Sequence, residues 1–416
     1  GAFYAVLNEQ ARPFREPGVE SGYPVLPCAA GTCHVPVFDG NPERLRVDSD
    51  GLTGVARVDV STTAEMNDVS GVLDFESRTF TILPGVALTP VGSMSVMPAA
   101  PAPGDQFTVA SFSLGGPLTT NRLAKASAMV RDVLGMPDIV GVVDAENFGA
   151  LEQLAAVIDD DAAADEQPLP QYEALAIQDA DPSDVHTGVL VKKAAGRVSA
   201  LPAVQVGAGE SIMLQATVTG PSTELPQDVT VIVTQLTSRS GSELNDDAGA
   251  LVRARRKTEA EFLANFVQSR QGANRSEAIV LLGDFNAFEF NDGYVDTVGT
   301  IAGHPAAPDQ VALSSDDLVT PDFVNVSNQI PAWARYSSIA NGNAQALDHV
   351  LVSASLLPQH AGVVRPRVNA DFAHAGAIDA TTAKLMGFDP MTIRSAEEPG
   401  NRARCRSPPI SRSAAA

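Results

Sequence analysis

The run Ile279-Val-Leu-Leu-Gly-Asp-Phe-Asn-Ala287 ends an apolar stretch in a glycine and then presents Asp284 and Asn286, two positions apart. In an extended chain alternate side chains share a face. The spacing therefore predicts a carboxylate and a carboxamide side by side at the C-terminal edge of a buried strand. Such a pair can orient a water or hold a phosphate oxygen. The competing reading is a strand-end turn, which Asp and Asn both favour. Ala346-Leu-Asp-His-Val-Leu-Val-Ser353 places Asp348 inside a second apolar strand, where a carboxylate needs a partner. His349 points the other way on that strand, so it forms no dyad with Asp348 and reads as an ordinary surface or core-edge histidine. Pro137-Asp-Ile-Val-Gly-Val-Val-Asp-Ala-Glu-Asn147 ends a third buried strand in Asp144 and Glu146, again on one face. Two adjacent carboxylates suit a hard divalent cation, Mg²⁺ first, with Ca²⁺ or Mn²⁺ as alternatives. Acidic groups stabilising a helix N-terminus would give the same pattern.

These residues need a scaffold of alternating strands and helices, and the chain after residue 106 supplies one. Phe107–Phe112, Ile139–Val143, Glu173–Ile177, Gly188–Lys192, Met213–Val218, Val229–Thr234, Ala278–Phe285 and Ala346–Ser353 read as strands. Helices are predicted over Thr120–Leu134, around Leu151–Ile158 and over Asp247–Gln268, the last burying Leu251, Phe262, Leu263 and Phe266. The acidic stretch Asp159–Asp165 reads as a solvated loop. The basic run Arg253-Ala-Arg-Arg-Lys257 reads as a solvated helix face opposite Glu259 and Glu261, with phosphate contact as the alternative. Residues 1–95 are β-rich, with strands expected over Val55–Thr62 and in two pieces between Val69 and Leu83. A small barrel of the oligonucleotide/oligosaccharide-binding kind would suit them. Residues 96–105 form a Pro/Ala linker, extended because proline fixes φ and removes a donor. Residues 376–416 lack clear periodicity and read as a tail holding Cys405.

The length, 416 residues, points to two domains. With 44% apolar and 19% charged residues the chain is globular. It has no apolar run long enough to span a membrane. The net charge of −22 would repel polyanions unless a local basic patch or bound cations compensate, which argues against a tight nucleic-acid binder. The acidity fits a secreted protein, extracellular or periplasmic. Cys28 and Cys33 flank a short loop, and a local disulfide is expected on export. The alternative, a metal site with His34, lacks a second Cys/His pair at ligand spacing.

Taken in order, PDIVG with its acidic pair, GDFNA and LDHVLVS resemble the endonuclease/exonuclease/phosphatase superfamily, most nearly its large bacterial secreted nuclease-like members. The resemblance covers about residues 106–375. It implies an α/β (α+β) fold, a four-layered α/β/β/α sandwich, here preceded by the small β-rich domain. It implies a Mg²⁺-dependent phosphodiesterase in which Asp144 holds the metal, Asp284 and Asn286 hold the water and phosphate, and Asp348 orients a terminal histidine. Four departures stand out. The first strand ends Ala110-Ser-Phe-Ser113 where the pattern has Asn last. The metal glutamate is shortened to Asp144. The histidine of the "NHL" pattern is replaced in Thr234-Gln235-Leu236. The terminal Ser-Asp-His is absent, the chain there reading Arg394-Ser-Ala-Glu-Glu-Pro-Gly400, with His374 the nearest substitute in sequence. Losing one preorganised electrostatic partner costs on the order of a hundred- to a thousandfold in rate. The expectation is thus a pseudoenzyme serving an unknown protein partner or assembly. The alternative is a phosphodiesterase of low or altered activity that would take nucleic acid.

Overall fold

The computed structural model describes residues 1–28, 30–50, 54–76, 79–92, 94–104, 106–115, 118–177, 186–206, 211–219, 227–360, 362–367, 370–372 and 404–406. His374, the 394–400 stretch and most of 376–416 lie outside the described residues.

The N-terminal part holds one large sheet and, beside it in sequence, a two-stranded parallel pair of Val19–Glu20 with Val37–Phe38. β1 (Ala2–Val6), β2 (Leu45–Asp48), β3 (Ala64–Met66), β4 (Gly71–Glu76), β5 (Thr79–Pro84) and β6 (Pro90–Val91) run in the order β4-β5-β2-β1, then the strand Arg404–Arg406, then β3-β6. That C-terminal strand lies in the span expected to be an unstructured tail. Among the described residues no pairing closes the sheet into the suggested barrel. β2 and β5 pair in parallel and extend it sideways instead. β4 and β5 form the expected hairpin. Val55–Thr62 forms no strand. Val58 and Val60 do reach the core with Phe3, Val47 and Met66. Their segment's N–H groups go elsewhere, Val58 to Ser49 Oγ at 3.1 Å and Thr62 to the Asp371 carbonyl at 2.7 Å.

The rest is a mixed α/β fold. Its elements are β7 (Val109–Ser113), α1 (Thr120–Ala128), β8 (Ile139–Val143), α2 (Phe148–Ala164), β9 (Tyr172–Leu175), β10 (Gly188–Lys192), β11 (Val198–Ala200), β12 (Ile212–Val218), β13 (Gln227–Gln235), α3 (Asp247–Ala273), β14 (Ala278–Asp284), α4 (Thr297–Ala302), β15 (Val324–Asn325) and β16 (Asp348–Val352). One sheet runs β9-β10-β8-β7 and the other β11-β12-β13-β14-β16-β15. The period of two along each strand splits the core. Ile139, Val143, Val189 and Val191 of the first sheet meet Val231, Val233, Val280 and Leu282 of the second. The alternate residues Val140, Val142 and Leu190 pack with Leu123, Val130, Leu151 and Leu154 of the first helices. Ile232, Ile279, Leu281 and Leu351 pack with Leu263, Val267, Val298 and Ile301 of α3 and α4. Gly141 leaves room for the facing sheet, since a Cβ there would lie 2.5 Å from Leu282 Cδ1 and 2.8 Å from Val233 Cγ2.

Three helix expectations are corrected. The acidic stretch is no loop, because α2 continues through Ala164. Its alanines favour helix, and Arg131 Nη1 pairs with Asp165 at 2.9 Å. In α3, Leu251 is 72% and Phe262 44% exposed, so neither is core. The buried stripe is Gly249, Arg253, Arg256, Ala260, Leu263, Val267 and Gln271, a helical spacing that two arginines share. The basic run is accordingly split. Arg255 and Lys257 pair with Glu259 and Glu261 on the surface, while Arg253 and Arg256 point inward.

Candidate active site

β13 and β14 end, and the antiparallel β16 begins, at one edge. Gln235 and Asp284 are partners across the parallel β13–β14 ladder, and Asp284 and Asp348 across the antiparallel β14–β16 ladder. Gly283, with φ +133°, is what lets Asp284 follow. A Cβ at that position would fall 2.0 Å from the Thr234 carbonyl oxygen of the neighbouring strand.

Asp284 and Asn286 do not sit as alternate residues of one strand. β14 stops at Asp284, and Asn286 turns into the left-handed region with φ +46°. Its N–H donates to Asp284 Oδ1 at 2.8 Å, and its Nδ2 donates to the Leu236 carbonyl at 2.9 Å. The strand-end turn and the polar pair are thus one feature, and the turn uses two of the donors.

Asp144 comes from the other sheet and reaches the same edge. β8 stops at Val143, and Asp144 adopts φ +55°. Strand alternation therefore fails here too, and Glu146 is exposed with no hydrogen bond or ion pair among the described residues. Asp144 is held from three directions. Its N–H donates to Gln235 Oε1 at 3.0 Å, and Gln235 Nε2 donates back to its Oδ1. Ser113 Oγ donates to its Oδ2 at 2.6 Å. Parallel pairing of β7 with β8 sets Ser113 beside Val143 and so within reach. The two departures from the family pattern, Ser113 and Gln235, are thus the two side chains that close on the third, Asp144.

Behind the edge lies a charged anchor. Arg256 Nη1 meets Asp292 Oδ2 at 2.7 Å, both side chains nearly fully buried. Burial would raise the Asp292 carboxyl, but the guanidinium and the N–H groups of Val295 and Tyr294 hold it below the usual carboxylate range. His349 is buried with both ring nitrogens used. Nε2–H donates to the Ala287 carbonyl at 2.9 Å and Nδ1 accepts from Asn325 Nδ2 at 3.1 Å. Burial lowers its pKa to about 4, so it is neutral near pH 7. Arg365 donates to the Asp348 carbonyl oxygen at 2.8 Å.

Sequence reasoning missed His186. Its Nδ1–H donates to the Ala145 carbonyl at 2.8 Å, and Ala145 N–H returns a bond to the His186 carbonyl at 3.0 Å. An imidazole whose Nε2 has no hydrogen bond among the described residues thus stands one residue from Asp144. No spacing signal pointed to it, since the contact is between residues far apart in sequence.

The donor set does not suit a resident Mg²⁺. Both oxygens of Asp144 already accept from neutral donors, and Glu146 faces solvent. Among the described residues no three His, Cys, Asp or Glu side chains converge. The other proposed metal site is also settled by geometry. Cys28 and Cys33 form a disulfide, with Cα atoms 5.7 Å apart, and His34 Nδ1 pairs with Asp309 at 2.8 Å. No helix among the described residues is long and apolar enough to cross a membrane.

The two facing sheets, with Asp144, Asp284 and Asp348 along one edge, make a mixed α/β fold. No family model matches the chain, and no curated protein matches it. Among solved structures it is similar to D. rerio TDP2 humanized by 14 mutations, with TM-score 0.38 and 15% identity over 62% of this chain and 86% of that one. It is similar to an endonuclease/exonuclease/phosphatase family protein from Bacteroides thetaiotaomicron, with TM-score 0.38 and 12% identity over 60% and 83%. A mannosyl-6-phosphatase of the same organism gives 0.37 and 14% over 60% and 86%.

Proposed function

We propose that this is an exported protein with a β-rich domain over residues 1–95 and a nuclease-like domain over 106–375, acting as a binding or structural module and not as a phosphodiesterase. The observation that carries the reading is the closed grip on Asp144. In a phosphodiesterase edge this carboxylate would meet a divalent charge that stabilises the developing phosphate charge. Here Gln235 and Ser113 satisfy it with neutral donors. A carboxylate so satisfied has less to gain from a cation and must give up hydrogen bonds to take one. The disulfide between Cys28 and Cys33 supports export, since oxidising compartments keep such pairs closed.

A metal-dependent phosphodiesterase of low or altered activity is the second reading. His186, beside Asp144, favours it, because an imidazole with a free Nε2 can accept a proton. One assay separates the two. Purified protein with Mg²⁺ or Mn²⁺ is given bis(p-nitrophenyl) phosphate and single-stranded DNA, with Asp284→Ala and His186→Ala alongside. The expected result is three indistinguishable, near-background rates. A wild-type turnover of about 1 per second or faster that disappears in Asp284→Ala sinks the module reading.

A further inference from the structure

The segment Pro13–Arg15 crosses onto Ala344, with Arg15 N–H donating to the Ala344 carbonyl at 2.9 Å and Ala344 N–H to the Pro13 carbonyl at 3.0 Å. Beside this crossing lies a cavity of about 140 Å³, walled by Phe14, Glu289, Ala332, Arg335, Tyr336 and Gln345. Arg15 borders it too, but its guanidinium is closed off. The Nη atoms donate to the Glu16 and Gly18 carbonyls, and Nε is buried. Arg15 therefore brings positive charge to the cavity and no donor.

Two polar side chains do open into the space. Gln345 is 6% exposed, yet its carboxamide has no hydrogen bond among the described residues. The amide oxygen and nitrogen keep some accessible surface, which for so buried a residue lies on the cavity it lines. The Glu289 carboxyl stands likewise, accepting only from its own N–H. Buried polar groups are nearly always paired in a folded chain. An open amide and an open carboxyl on one cavity therefore call for a ligand or for water. The wall between them is apolar. The Phe14 and Tyr336 rings stand edge to face, 6.2 Å apart, and the Tyr336 hydroxyl is spent on Asp371.

Charge decides which ligand fits. Arg335 and Arg365 act on the Glu289 carboxyl, opposing the rise in pKa that burial imposes. An ammonium set against Glu289 would meet those cations, and Arg15 besides. An anion would meet Glu289. Arg335 has little left to hold one, with Nε and Nη2 on the Ile330 and Asn328 carbonyls. A neutral ligand avoids both costs. It must donate to the carboxylate, exchange hydrogen bonds with the carboxamide and lay a C–H face on the rings. A hydroxyl both donates and accepts, so two hydroxyls on neighbouring carbons meet these demands. A cavity of about 150 Å³ holds benzene, so about six non-hydrogen atoms fit here. Glycerol is of that size. We propose that this cavity binds a small neutral polyol through a vicinal diol. One hydroxyl donates to Glu289, its neighbour pairs with the Gln345 carboxamide, and the carbon chain lies against Phe14 and Tyr336. The inference does not rest on the function proposed for the acidic edge, as its readout is binding and not turnover.

The test is saturation-transfer NMR on the full-length protein with glycerol, 1-propanol, acetamide, acetate and methylamine. Glycerol should bind saturably and at least tenfold more tightly than each of the others. Gln345→Leu and Glu289→Leu should each weaken glycerol at least tenfold, with near-ultraviolet circular dichroism matching wild type. Arg255→Ala, on the outer face of α3, should leave the glycerol midpoint unchanged. Methylamine or acetate binding as tightly as glycerol would overturn the proposal and leave an ion site, and acetamide doing so would leave an amide site. No saturable signal from glycerol would overturn it and leave a water-filled cavity. Folded Gln345→Leu and Glu289→Leu proteins that bind glycerol like wild type would overturn it by placing the polyol elsewhere. If both variants fail to fold, the ranking of the five ligands on the wild-type protein decides by itself.

Discussion

Asp144 directly follows β8 and Asp292 lies in the loop after β14, and the fold satisfies the two carboxylates in opposite ways. Asp292 is almost wholly buried and meets a buried guanidinium, Arg256, that also reaches toward the Asn286 carbonyl at 3.4 Å. Asp144 is half-buried and meets only an amide and a hydroxyl. A charge in the interior needs a counter-charge, whereas a carboxylate with some access to water can be held by neutral donors. The first arrangement fixes the turn carrying Asp284 and Asn286 to α3. The second fills the place where the resemblance implies a metal.

The contrast can be broken at its stronger end first. Arg256→Ala leaves Asp292 buried without its partner and should cost about 3–5 kcal/mol in denaturant unfolding. A loss under about 1 kcal/mol would mean that water reaches Asp292 and that the two sites are alike. His349 sharpens the comparison next, as a buried ionisable group held neutral. Its folded pKa of about 4 lies below the unfolded value of about 6.5. Its contribution is therefore full above pH 6.5 and is lost as pH falls toward 4. The change reaches about 3 kcal/mol. The measurement is the slope of stability against pH in wild type and in His349→Gln, which should be flatter across that window. Equal slopes would show that the imidazole protonates freely in the fold.

At the weaker end, Gln235→Leu removes two bonds to Asp144 but leaves Ser113 and water. It should cost about 1–2 kcal/mol, much less than Arg256→Ala. A cost matching that of Arg256→Ala would erase the distinction. Smallest of all, Arg255→Ala breaks an exposed pair with Glu259 and should change stability by under about 0.5 kcal/mol.

The strands and helices that build the edge were legible because their periodicity is strong. Gly188–Lys192 was read to the residue, and Ala278–Phe285 to within one. The failures have local causes. Val55–Thr62 alternates like a strand, but its N–H groups are taken by Ser49 and Asp371. Leu251 looked like core because apolar type was counted without the register of α3, where arginines take the buried stripe.

By itself the sequence placed Asp284 and Asn286 at the C-terminal edge of one apolar strand and Asp348 within another, because long apolar runs mark buried strands; the structure begins the second strand at Asp348 itself. It determined a local disulfide through two cysteines close in sequence. It could not determine that Gln235 and Ser113 close on Asp144, since their contacts cross between strands 31 and 91 residues apart. Nor could it place His186 beside Ala145, bury Arg256 against Asp292, or bring Phe14 and Arg15 over Glu289 and Gln345. Those pairings depend on which strands neighbour which and on how the sheets face each other, and no local pattern encodes them.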